Sequence, residues 1–100
     1  MTRIYLSGGM TNVPDCRERF AKAEKELTEQ EFSVINPAKV EQVLPQDMTY
    51  EEHMKIDFAM LDLCDGIYML NGWQQSQGAK RELDFAMAKD MTIIFEGVKG

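Results

Sequence analysis

Apolar positions along the chain fall into two alternating kinds of segment: short bursts of strand formers and longer stretches where they recur every three or four residues among charges. Arg3-Ile4-Tyr5-Leu6-Ser7 is rich in strand formers and Gly8-Gly9 ends it abruptly, which predicts a first buried strand. From about Pro14 to Gln30 the spacing of Phe20, Ala23 and Leu27 predicts a helix, with Pro14 suited to its first turn. Phe32-Ser33-Val34-Ile35 predicts a second strand stopped by Asn36-Pro37, and the stretch through Asp47 reads as loop or broken helix. A second long helix is predicted from about Thr49 to Cys64, opening with Thr49 and Glu52 at the spacing of a capping box. Asp65-Gly66 closes it before a third strand, Ile67-Tyr68-Met69-Leu70. Asn71 to Gln75 form a loop, a third helix follows Ser76 and runs to about Lys89, and Thr92-Ile93-Ile94-Phe95 makes the last strand.

The resulting order, β-α-β-α-β-α-β, predicts an α/β fold: a three-layer, flavodoxin- or Rossmann-like domain with helices on both faces of a four-stranded parallel sheet. One hundred residues make a single domain. With strand order 2-1-3-4 the topology reverses between the first and third strands, and ligands of open α/β sheets bind in that crevice. Its lining would be Gly8 to Val13 and Asn71 to Ser76, the second loop leading directly into the third helix.

A formal charge of −6 argues against polymeric nucleic acid, which asks for a basic face, but leaves room for a small anion at a helix N-terminus. Cys16 and Cys64 lack the spacing of a disulfide framework or a zinc site, and His53 is the sole histidine, so histidine-based triads and metal sites find little support. Neither a signal peptide nor a membrane-spanning run is apparent, which predicts a cytoplasmic protein that does not engage a membrane. The second helix is apolar over much of its circumference through Met54, Ile56, Phe58, Met60, Leu61 and Leu63, which predicts a homodimer or higher homo-oligomer.

Two carboxylates stand out. Glu82 has Gly78, Ala79, Phe85 and Ala86 one turn to either side, so it lies on the apolar side of its own helix. Asp57, among His53, Met54, Met60 and Leu61, points inward from the preceding helix. Either could be paired with a lysine or arginine, but two acids around one sugar are the usual equipment for cleaving a glycosidic bond. Ser76 either caps the last helix or holds a phosphate there, and Gly78 would let backbone approach a ligand. Gly8-Gly9 offers a turn able to cradle a phosphate, although it lacks the spacing of a dinucleotide or P-loop fingerprint. Tyr5 would bring its hydroxyl near the crevice, and Trp73 would either stack on a ligand or simply pack.

The stretches Ile4-Tyr5-Leu6-Ser7-Gly8-Gly9-Met10-Thr11, Cys64-Asp65-Gly66-Ile67 and Gly72-Trp73-Gln74-Gln75-Ser76-Gln77-Gly78-Ala79-Lys80-Arg81-Glu82 together resemble the nucleoside 2-deoxyribosyltransferase superfamily, most closely its DUF4406 branch. The resemblance implies that Glu82 is the nucleophile at C1′ of deoxyribose, that Asp57, eight residues before Asp65, assists it, and that Tyr5 orients it. Ser76, six residues before Glu82, matches the serine of the nucleoside 5′-monophosphate N-glycosidases, whereas free-nucleoside transferases carry aspartate there. The resemblance therefore implies a 2′-deoxynucleoside 5′-monophosphate or related nucleoside as substrate. Glu82 would form a covalent intermediate, Ser76, Gly78, Gly8 and Gly9 would hold the phosphate end, Trp73 would lie against base or sugar, and no metal or organic cofactor would take part. The chain departs from both enzyme branches at Lys80, where they carry glycine, and ends at Gly100 without the tail that can complete a neighbour's site in the transferases. A non-catalytic nucleotide-binding or regulatory protein of the same fold is the alternative.

Overall fold

Strand β1 (Arg3–Ser7) lies inside the sheet, and its side chains alternate between two interiors. Ile4 and Leu6 point to one face and Tyr5 to the other, all without solvent exposure. The computed structural model describes residues 1–11 and 13–97. It contains α1 (Cys16–Glu29), β2 (Ser33–Ile35), α2 (Pro37–Glu41), α3 (Tyr50–Asp62), β3 (Gly66–Met69), α4 (Gln77–Ala88) and β4 (Thr92–Phe95). The four strands form an open, all-parallel sheet in the order β2-β1-β3-β4, so the expected topology holds.

Tyr5 pairs with Ile35 on one side and Ile67 on the other, which fixes the register at the centre of the sheet. Asp65 clamps the start of that pairing, because its amide donates to Arg3 O at 2.8 Å and its Oδ2 accepts from Arg3 N at 2.8 Å. Gly66 follows for a steric reason. A β-carbon there would come within 2.9 Å of Thr92 O and 3.0 Å of Ile4 Cδ1, so only glycine lets β4 lie this close.

One face of the sheet is covered by α1 and α2, which bury Phe20, Ala23, Leu27 and Ala38 against Ile4, Leu6, Tyr68 and Leu70. The other is covered by α3 and α4, whose Leu61, Ala79 and Ala86 pack on Tyr5, Ile67 and Met69. Most helix boundaries follow local chemistry. Thr49 Oγ1 accepts from Glu52 N while Glu52 Oε1 accepts from Thr49 N, closing the expected capping box of α3. Ser76 Oγ accepts from Ala79 N and caps α4.

One local expectation needs correction and two are sharpened. Helix α1 starts at Cys16, so Pro14 sits in the preceding turn and not in the first helical one. The segment after Asn36-Pro37 contains a true short helix, α2, because Asn36 accepts from Ala38 N as its cap and Pro37 presets the first helical residue. The loop after β3 contains a 3₁₀ turn, Trp73–Gln75, entered through Gly72 at a left-handed φ of 88°. Among the described residues no helix is long and apolar enough to cross a membrane.

Candidate functional site

The side of β1 that carries Tyr5 also carries Ser7, and both hydroxyls reach the same carboxylate. Tyr5 Oη donates to Glu82 Oε2 at 2.5 Å and Ser7 Oγ donates to Glu82 Oε1 at 2.7 Å. Glu82 projects from the middle of α4 and is only 5 % exposed. Among the described residues no lysine or arginine pairs with it, so the ion-pair explanation for a buried glutamate does not apply.

Such an environment sets two effects against each other. Burial penalises the ionised form and dominates, so the Glu82 carboxyl is pushed up to about 7, while the hydroxyls of Ser7 and Tyr5 pull it down and the charge of Asp57 adds to the rise. Charge-assisted O–H···O⁻ bonds of this length keep the carboxylate in one orientation. The Tyr5 phenol is raised well above its ordinary range by burial, and then by Glu82 and Asp57, which keeps it a proton donor.

Asp57 comes from α3 and is 7 % exposed. Neither Lys55 nor Lys80 pairs with it. Burial pushes its carboxyl up to about 6, repulsion from Glu41 adds to this, and attraction from His53 opposes it. Glu82 and Asp57 both line one cleft of about 790 Å³ beyond the carboxyl ends of β1 and β3, where the reversed topology directs ligands.

Gly8, Gly9, Ser76 and Gly78 also line this cleft. A β-carbon on Gly9 would lie 3.7 Å from Ser76 Cβ, so the loop after β1 faces the cap of α4. A β-carbon on Gly78 would lie 3.4 Å from Met54 Sδ and 3.5 Å from Tyr50 Oη, so side-chain bulk there would press α4 against α3. Gly8 has a second role that the sequence did not suggest: its missing β-carbon would stand 3.1 Å from Leu70 Cβ and 3.5 Å from Phe20, so its size answers to the core. Trp73 is not part of the cleft wall, because its ring packs on Phe95 at 5.9 Å between centroids and against the core beneath α4. Lys80, the departure from the enzyme branches, is exposed and not part of the cleft wall.

Several contributors escaped the sequence reading. Ser7 is one, although its place two residues after Tyr5 on the same strand face was available as a signal. Arg19 reaches the cleft from α1 and donates to the carbonyl of Asn71, whose amide in turn donates to Glu96 Oε1 at 2.8 Å. Glu41, Tyr50 and His53 line the wall as well. The arrangement is thus a buried acid held by two hydroxyls, a second buried acid, and a rim of mixed charge, suited to nucleophilic attack on a small ligand with proton management beside it.

Among curated proteins none matches this chain. The family model described as Domain of unknown function (DUF4406) matches residues 2–95. The chain belongs to the DUF4406 family.

Proposed function

We propose that this DUF4406 protein cleaves, or transfers at, the N-glycosidic bond of a 2′-deoxynucleoside 5′-monophosphate or a close relative, through a covalent glycosyl ester on Glu82. The observation that carries the reading is the state of Glu82: buried, free of any cationic partner among the described residues, and oriented by Tyr5 and Ser7 in a cleft that it shares with Asp57. A carboxylate kept this way has no evident structural task, and burial makes it a stronger nucleophile once ionised. The resemblance to the nucleoside 2-deoxyribosyltransferase superfamily supports the same assignment.

In this reading a Glu82 oxygen attacks C1′ while the C1′–N bond breaks and its electron pair leaves with the base. Protonated Asp57 gives its proton to the departing nitrogen. Water, or a second base, then attacks C1′, its proton passes to Asp57, and the ester electrons return to Glu82, so the anomeric configuration is retained. Tyr5 and Ser7 hold the carboxylate for both steps. The 5′-phosphate would rest among Gly9, Ser76 and Gly78 at the N-terminus of α4, with Gly8 shaping the turn and Arg19 supplying the wall's permanent cation.

The test is incubation of the pure protein with a panel of deoxynucleoside and ribonucleoside 5′-monophosphates, with free base followed by chromatography. Base release from at least one deoxynucleotide is expected, reduced on the order of a thousandfold or more in Glu82→Gln. A nucleotide that raises the melting temperature equally in wild type and Glu82→Gln, with no base released, would instead identify a binding protein.

A further inference from the structure

His53 has no part in the mechanism above, yet its placement is unusual. It precedes Asp57 by four residues on α3, so the two side chains share one face of the helix, and both line the cleft. Its Nδ1 is buried and lies 3.2 Å from Glu41 Oε1 without the alignment of a hydrogen bond, which leaves it with no satisfied partner. Glu41 belongs to the last turn of α2, on the far wall of the cleft. The imidazole therefore lies beside an outer carboxylate, Glu41, and one helical turn from an inner one, Asp57.

We propose that His53 is a positioning residue that sets the charge state of Asp57, its imidazolium anchored on Glu41 and holding the carboxylate that Asp57 becomes once its proton has left. The chemical purpose rests on the glycosidic reading; the coupling itself rests on the shared helix face, the Glu41 contact and the charges they bring together. Breakage of the C1′–N bond sends its electron pair to the base nitrogen, and the Asp57 proton follows to that nitrogen. A second negative charge is then stranded in a cleft where the first, on Glu82, has just been consumed in the ester. The His53 ring, held beside Glu41, favours that charge. When water attacks C1′, the water's proton restores Asp57.

The charged and titratable groups that act on this pair are Glu41 from α2, Glu52 from the first turn of α3, Glu82 from α4 and Tyr5 from β1, while Arg19 from α1 lines the same cleft. Glu41 favours the protonated form of Asp57 and His53 favours the ionised one, so the two groups bias one proton in opposite directions.

The experiment is a carboxyl ¹³C NMR titration of Asp57 without nucleotide in wild type, His53→Gln, His53→Lys and Glu41→Gln. The His53 and Glu41 side chains are 24 % and 40 % exposed, which makes these replacements compatible with folding. In His53→Gln the Asp57 midpoint should rise from about 6 by roughly half a pH unit, in Glu41→Gln it should fall by a similar amount, and the fixed cation of His53→Lys should return it to the wild-type value or below. With an active nucleotide, His53→Gln should lower kcat about tenfold while KM stays within about twofold, because a charge formed only during reaction has lost its partner. An Asp57 midpoint unchanged in both His53→Gln and Glu41→Gln overturns the proposal, whatever the protein turns over. Shifted midpoints with no base released by wild type keep the coupling and reject the glycosidic reading instead.

Discussion

The two faces of the sheet are built from the same strands and covered by helix pairs, yet they solve different problems. On the α1/α2 face every strand residue contributing to the core is hydrophobic, and the buried polar side chain, Asn36, is spent on capping α2 and donating to Glu24. On the α3/α4 face the same strand β1 supplies two hydroxyls, and the helices supply two buried carboxylates that no lysine or arginine pairs with among the described residues. One face is arranged for stability. The other keeps desolvated charge in place, which is costly for folding and useful for chemistry. Alternation along β1 is what allows the two to coexist 3.3 to 3.4 Å per residue apart, roughly, on one strand.

The sharpest way to break the comparison is to damage the apolar face. Phe20→Ala, at a side chain 1 % exposed, should cost about 3 to 5 kcal/mol in denaturant unfolding, while nucleotide affinity of the folded fraction stays unchanged. Equal loss of affinity would mean that the faces are not separable.

The polar face should reveal itself through pH. The Glu82 carboxyl is raised from 4.5 to about 7, so between these values the folded protein holds more proton than the unfolded chain. The stabilising contribution is complete below about 4.5 and is lost as pH rises through about 7. Across that window the Glu82 contribution should fall by about 3 kcal/mol, alongside a smaller loss from Asp57, which is raised from 3.8 to about 6. Glu82→Gln should remove the Glu82 share of the slope in melting curves taken from pH 4.5 to 8. Turnover should depend on the same protons, with base release peaking between limbs near 6 and 7 that belong to the Asp57 and Glu82 pair jointly.

Gly66→Ala tests how tightly the apolar face is drawn together, since the new methyl would meet Thr92 O and Ile4 Cδ1; a loss of about 1 to 3 kcal/mol is expected. Ser76→Ala should be mildest, at about 1 kcal/mol for the lost cap in thermal unfolding. If Ser76 also serves a phosphate, the same variant weakens nucleotide binding more than it weakens the fold.

The order of elements and the inward placement of the two central acids were legible because each depends on local signals, whereas the strand order followed from the commonest arrangement for that connectivity. Bursts of strand formers alternate with helical periods, and a carboxylate among Gly78, Ala79, Phe85 and Ala86 declares its face from neighbours one turn away. Ser7 was less legible because a serine before Gly8-Gly9 reads as the end of a strand, and only its shared face with Tyr5 hints at Glu82. Glu41 was hidden in a stretch with no clear period, although Asn36-Pro37 is a cap followed by a first-turn proline and marks α2. The partners of His53 and Trp73 are set by contacts between elements distant in sequence, Glu41 in one case and Phe95 in the other, and no local pattern encodes them.

The central claim concerns a bond that forms and breaks on one side chain, so the most direct measurement is acid quench during turnover of a deoxynucleoside monophosphate, followed by peptide mapping in a mass spectrometer. The account predicts a deoxyribosyl phosphate ester on the peptide containing Glu82, absent from Glu82→Gln. Base release with every Glu82 peptide unmodified, or with the sugar attached to another residue, would contradict it.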